Sequence, residues 1–136
     1  REAERLKGRA ASESSAALIE KARDIDGMKV ISCRVDDLEK KDVRILADNL
    51  KDKLGSGVIV LASVRNGEAA FLSMVTKDLT KKIKAGEILK KVAEIAGGRG
   101  GGKPEMAEGG TKDIAKLDKA LEAVYDIIKK AVNSRQ

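Results

Sequence analysis

Val58-Ile59-Val60-Leu61-Ala62 is the stretch that most narrows the folds open to this chain. Five consecutive apolar residues show no alternation, and the flanking Gly57 and Asn66-Gly67 confine them to a short segment. Such a run suits a strand buried on both faces. A strand of that kind needs covering layers, and helices are the expected cover.

The remaining periodicity supplies those layers. Lys40 to Leu54 reads as a helix, with Val43, Leu46, Leu50 and Leu54 on one face and Gly55 just past its end. Ala85 to Ile95 reads as a second helix, with Ile88, Val92 and Ile95 inward. In a third, Ile114, Leu117, Leu121, Val124 and Ile128 form one apolar face, with Thr111 as N-cap and Asp113 near the positive helix end. Gly57 to Val64 and Glu68 to Val75 flank Asn66-Gly67, the strongest hairpin signal present. Ala17 to Ile25 is read as a strand paired with Met28 to Val35 across Asp26-Gly27. Asp78 to Lys84 reads as a short basic turn. The predicted fold is α/β: a mixed β-sheet of two hairpins covered by helices, with an N-terminal helical appendage. Residues 1–15 are expected to end a helical segment, with Ala3, Leu6 and Ala10 at helical spacing and Ser12 to Ser15 as linker. Residues 16–136 are expected to form the globular domain. An opening at Arg1-Glu2-Ala3-Glu4-Arg5 reads as mid-helix, so a longer parent protein is expected.

Several chemistries are excluded by what is missing. The chain has no histidine and no tryptophan, so imidazole bases and His ligands for zinc are absent. A single cysteine, Cys33, rules out an internal disulfide and a cysteine metal cluster, and its apolar neighbours mark it as a buried hydrophobe. Phe71 and Tyr125 are the only aromatics, too few for a platform that stacks single-stranded bases. No apolar run reaches the ~18 residues of a membrane span, and no membrane partner, cofactor or metal is expected. The formal net charge is +6, which favours a polyanionic partner. Much of it lies between Lys77 and Lys91, where Lys77, Lys81, Lys82, Lys84, Lys90 and Lys91 face only Asp78 and Glu87.

Seven of the thirteen glycines fall between Gly97 and Gly110, in a stretch that also holds Arg99 and Lys103. Three readings compete for this glycine-rich loop. Gly97, Gly102 and Lys103 match the spacing of a Walker phosphate loop, but Pro104 replaces the hydroxyl residue that would hold magnesium, and a helix rather than a strand leads in. Tight backbone packing explains the glycines and leaves the two cations as chance. Recognition of a phosphate backbone uses free glycine amides together with Arg99 and Lys103. On this third reading the phosphate-binding residues are Arg99, Gly100, Gly101, Gly102 and Lys103, with Lys77, Lys81, Lys82 and Lys84 supplying a wider field.

Lys84-Ala85-Gly86-Glu87, the Val92-Ala93 helix, the run Gly97-Gly98-Arg99-Gly100-Gly101-Gly102-Lys103-Pro104-Glu105-Met106-Ala107 and Gly109-Gly110 together resemble the C-terminal domain of alanyl-tRNA synthetases, also known as the DHH-associated domain of DHH phosphoesterases. The resemblance covers nearly the whole chain. In the phosphoesterases a histidine typically follows the glycine run; here Lys103-Pro104-Glu105 stands in that place, which favours the synthetase branch. The resemblance implies a non-catalytic module that docks the outer corner of an alanine-specific tRNA. It also implies links to upstream aminoacylation and editing domains, a homodimer through the helical segment, and a cytoplasmic setting. The alternatives are a nucleic-acid-binding domain of a phosphoesterase and a purely structural dimerisation domain.

Overall fold

The computed structural model describes residues 18–25, 27–36 and 38–134. The helical appendage over residues 1–15 and the linker serines lie outside the described residues. Six strands form one mixed sheet: β1 (Arg23–Ile25), β2 (Met28–Asp36), β3 (Gly57–Arg65), β4 (Glu68–Val75), β5 (Arg99–Gly102) and β6 (Met106–Thr111), in the spatial order β1-β2-β3-β4-β6-β5. Three longer helices accompany them: α1 (Lys40–Leu54), α2 (Ala85–Ala96) and α3 (Leu117–Ser134), with a single 3-10 turn at Lys77–Leu79. Strands β2 and β3 are parallel and α1 is the crossover between them; the other pairs are antiparallel.

The apolar run in β3 behaves as its composition requires. Val58, Val60 and Ala62 join one core, beneath α2 and α3, while Ile59 and Leu61 join a second core beneath α1. All five are buried. The domain is therefore three layers, with one helix below the sheet and two above. Helix α3 is tied to β2 by the Ser32 hydroxyl, which donates to Leu121 O at 2.6 Å, and by the Tyr125 hydroxyl, which donates to Ser32 O at 3.3 Å. Leu18 and Ile19 pack into the α1-side core near Cys33 and Val35, so the chain enters on that face at the β2 side.

Three expectations change. Residues 18–20 are helical and strand pairing begins only at Arg23, because Leu18 buries its side chain against the α1-side core instead of alternating across a strand. Thr111 ends β6 and does not cap α3, which starts at Leu117. Its hydroxyl donates to Ala96 O at 3.0 Å, satisfying a carbonyl at the end of α2, and accepts from Asp113 N at 3.1 Å. The glycine-rich stretch is not a loop: it forms the antiparallel ribbon β5–β6, adding a third hairpin to the two foreseen. Pro104 and Glu105 make its turn, closed by Lys103 N donating to Met106 O at 2.8 Å. Proline at the first corner of such a turn has its φ already set.

Candidate nucleic-acid interface

The glycines of the ribbon serve packing first. Gly97 follows α2 at φ +77° and Gly98 N donates back to Ala93 O at 2.8 Å, the pairing that ends a helix through a left-handed residue. A Cβ on Gly86 would stand 2.7 Å from Gly102 O, so α2 lies against the β5 backbone with no side chain between. At Gly98 a Cβ would run into the Gly110 carbonyl. Gly100 meets Leu89 from the α2 side. Gly101 differs from these, since a Cβ there meets nothing within 4 Å.

The pleat sorts the functional candidates. Side chains alternate along a strand, so Arg99, Gly101 and Lys103 share the face opposite α2, with Glu108 opposite Gly101. Helix α1 packs on β3 and β4 on that side, and Arg99, Gly101, Lys103 and Glu108 are exposed. The Lys103–Met106 bond fixes the ladder phase: the Gly101 and Glu108 pair exchanges hydrogen bonds, whereas the Gly100 and Gly102 amides point away from β6 at the sheet edge. Of the three glycine amides considered for phosphate, two face outward and one is used by the ladder.

Arg99 and Lys103 stand at opposite ends of this short strand, their Cα atoms roughly 13 Å apart at the usual strand rise. The Lys103 end meets the basic segment. Ala85 N donates to Pro104 O at 2.9 Å, Gly86 N to Lys103 O at 3.2 Å and Val75 N to Glu105 O at 3.0 Å. These bonds join the hairpin turn to the start of α2 and the end of β4, so Lys84 and Lys103 flank one junction, with Lys77, Lys81 and Lys82 exposed on the adjoining turns. They also occupy the α2 donors that would otherwise attract an anion. Within the segment, hydrogen bonds from Ser56 and Thr76 hold the Asp78 carboxyl below its ordinary range, with nearby Lys82 adding to the effect.

The Arg99 end is a different place, and most of it escaped the sequence reading. Arg99, Arg65, Lys40 and Lys112 line an open trough of ≈ 760 Å³ together with Gly98, Gly110, Ser63 and Ala70. Glu39 and Glu68 also line it. Glu39 is shared by Lys41 at 3.8 Å and Arg65 at 3.9 Å, and Glu68 is the cross-strand partner of Arg65. Lys40, Arg99 and Lys112 have no ion-pair partner among the described residues. Recognition of the third hairpin would have brought Arg65 and Lys112 beside Arg99, since each sits at the same end of a paired strand.

Both aromatics are committed elsewhere. Phe71 is buried in the core, and Tyr125 is hydrogen-bonded to Ser32 beneath the Arg23 guanidinium, 4.1 Å from the ring centre. Among the described residues no group of three or more His, Cys, Asp or Glu side chains converges to hold a metal, and no helix is long and apolar enough to cross a membrane.

Comparison with known proteins agrees with this architecture. Residues 27–130 match the DHHA1 domain family. An alanine–tRNA ligase of Solibacter usitatus is 46% identical over 125 residues, and one of Anaeromyxobacter dehalogenans is 43% identical over 129 residues. These alignments cover 92% and 95% of this chain, which spans 14% of each relative's length. The crystal structure of the C-Ala domain from Aquifex aeolicus alanyl-tRNA synthetase superposes with a TM-score of 0.73 at 25% identity, covering 79% of this chain and 97% of that one. A DHH-domain member of the s1p family of ribosomal proteins shares the fold at a TM-score of 0.55 and 18% identity, over 90% of this chain and 31% of that one. With the ribbon, the three layers and the glycine packing all accounted for, the chain belongs to the DHHA1 domain family and resembles, within it, the C-Ala domain of alanyl-tRNA synthetase.

Proposed function

We propose that this domain is a non-catalytic tRNA-binding module of an alanine–tRNA ligase, and that it grips the outer corner of the folded tRNA through its sugar–phosphate backbone. The observation that carries the reading is the junction at which Lys103 on the ribbon turn meets Lys84 at the start of α2. Around it lie Lys77, Lys81 and Lys82, and from it the outward amides of Gly100 and Gly102 continue along the sheet edge. Cations and exposed amides recognise a backbone by position and shape. Base stacking calls for accessible aromatic rings, and here one ring is buried and the other lies under a guanidinium. Arg99 and Lys103 face the same way at a separation that suits two points along a backbone better than one phosphate. Homodimerisation through the upstream helical segment and a cytoplasmic setting follow from the same family reading.

Fluorescence anisotropy with a tRNA transcript at several salt concentrations tests the assignment. Lys84→Ala and Lys103→Ala should each weaken binding and lower the slope of log affinity against log salt by about 1. Slopes equal to the parent's for both variants would remove these residues from the interface.

A further inference from the structure

The trough at the Arg99 end holds positive charge that the fold itself does not use. Four glycines, Gly97, Gly98, Gly109 and Gly110, line it beside the small side chains of Ser63 and Ala70. Two of them must stay bare: a side chain at Gly98 would collide with the Gly110 carbonyl, and one at Gly110 would come within 2.9 Å of Ala69 O. Lys40 stands at the start of α1, where no side chain caps the helix and a lysine opposes the positive end of the helix. Lys112 follows β6, Arg99 opens β5 and Arg65 closes β3, so four separate elements deliver their cations to one rim. Four cations, Lys40, Arg65, Arg99 and Lys112, line the trough against two carboxylates, Glu39 and Glu68; Glu39 pairs with Lys41 and Arg65, and Lys40, Arg99 and Lys112 have no ion-pair partner among the described residues.

We infer that this trough is a second RNA-backbone site, in which a stretch of phosphodiester lies over the bare glycines and is held by Lys40, Arg99 and Lys112. It stands at the opposite end of the ribbon from the Lys84–Lys103 junction, and the shared open face through Gly101 connects the two. A backbone following that face would meet Lys103, pass the bare Gly101 and reach Arg99. The inference rests on the RNA-binding reading above and adds to it a location, a direction and two residues, Lys40 and Lys112, that the sequence did not single out.

The test is a Lys40→Ala/Lys112→Ala double variant, titrated with the tRNA transcript beside a Lys84→Ala/Lys103→Ala double variant and the parent. The trough variant should bind roughly tenfold more weakly at low salt, with a slope shallower by about 1.5, as expected for two lost phosphate contacts. Its thermal unfolding should match the parent's, since both side chains are exposed. Amide resonances of Gly98 and Gly110 should shift when tRNA is added to the labelled parent, a readout independent of any substitution. Parent-like affinity and slope in the trough variant, with the junction variant weakened, would overturn this inference and leave the functional reading standing. A parent that does not bind the transcript at low salt would overturn both.

Discussion

Neighbouring glycines in this chain answer to different constraints. Gly98 is fixed by contact, because a Cβ would enter the Gly110 carbonyl, whereas Gly101 faces open space in ordinary extended backbone. Gly98→Ala should cost about 1–3 kcal/mol, the usual range for overpacking. Gly101→Ala should be neutral or stabilising by up to about 0.5–1 kcal/mol, since glycine weakens a strand. Chemical denaturation of the two variants checks the contrast. Gly101 is also the ribbon glycine where a side chain can be added to the open face opposite α2 without disturbing the packing. Cys33 makes a separate residue-scale case. Burial pushes its thiol from an ordinary value near 9 to about 11. The thiol form is thus favoured by folding; that contribution is fully present below pH 9 and is lost as pH rises toward 11. Alkylation by iodoacetamide at pH 8.5 should be at least about tenfold slower in the folded chain than in urea.

At the level of elements, local signals locate α1 and the β3–β4 hairpin, while over residues 18–20 they point to a strand where the chain is helical. Helix α1 runs from Lys40 to Leu54 as read, because its apolar face repeats cleanly and Gly55 ends it at φ +74°. The β3–β4 hairpin is as read, with Asn66 and Gly67 both at positive φ in its turn. The β5–β6 ribbon was illegible because glycines carry neither β-propensity nor an alternating pattern. What dictates the ribbon is tertiary: α2 can approach β5 closely only if Gly86 is bare, and β5 can lie against β6 only if Gly102 is, since a Cβ there would strike Ala107 and the Met106 carbonyl. Pro104 was the available clue, standing at the first corner of a turn between two short segments. Thr111 was assigned to the wrong helix, since a threonine between two helices fits the start of one or the end of the other, and only the Ala96 carbonyl decides. The turn and α2 depend on each other through the bonds from Ala85 and Gly86 to the Pro104 and Lys103 carbonyls. Pro104→Ala should lower stability by about 0.5–1 kcal/mol, chiefly by loosening the unfolded chain. Amide hydrogen exchange at Ala85 and Gly86 should quicken more than at the centre of α2; uniform change along the helix would contradict this coupling.

Across the whole molecule, the chain builds one sheet with two short edge strands and spends its glycines on the β5 side. The entering segment packs beside β2 on the α1 face, while the open ribbon lies beyond β4 on the same face. Fold class was readable from Val58 to Ala62 alone, and the basic balance of the chain indicated a polyanion. The grouping of cations into two clusters was not readable, because it depends on which strand ends share an end of the sheet. On the function proposed above, this surface binds folded tRNA by its backbone. The affinity of the chain for a folded tRNA transcript and for a single-stranded oligonucleotide of equal length, across a salt series, tests this. Binding to the folded tRNA should be tighter, with log affinity falling linearly against log salt at a slope showing several phosphate contacts. Equal or tighter binding to the single strand, or an affinity that does not change with salt, would contradict it.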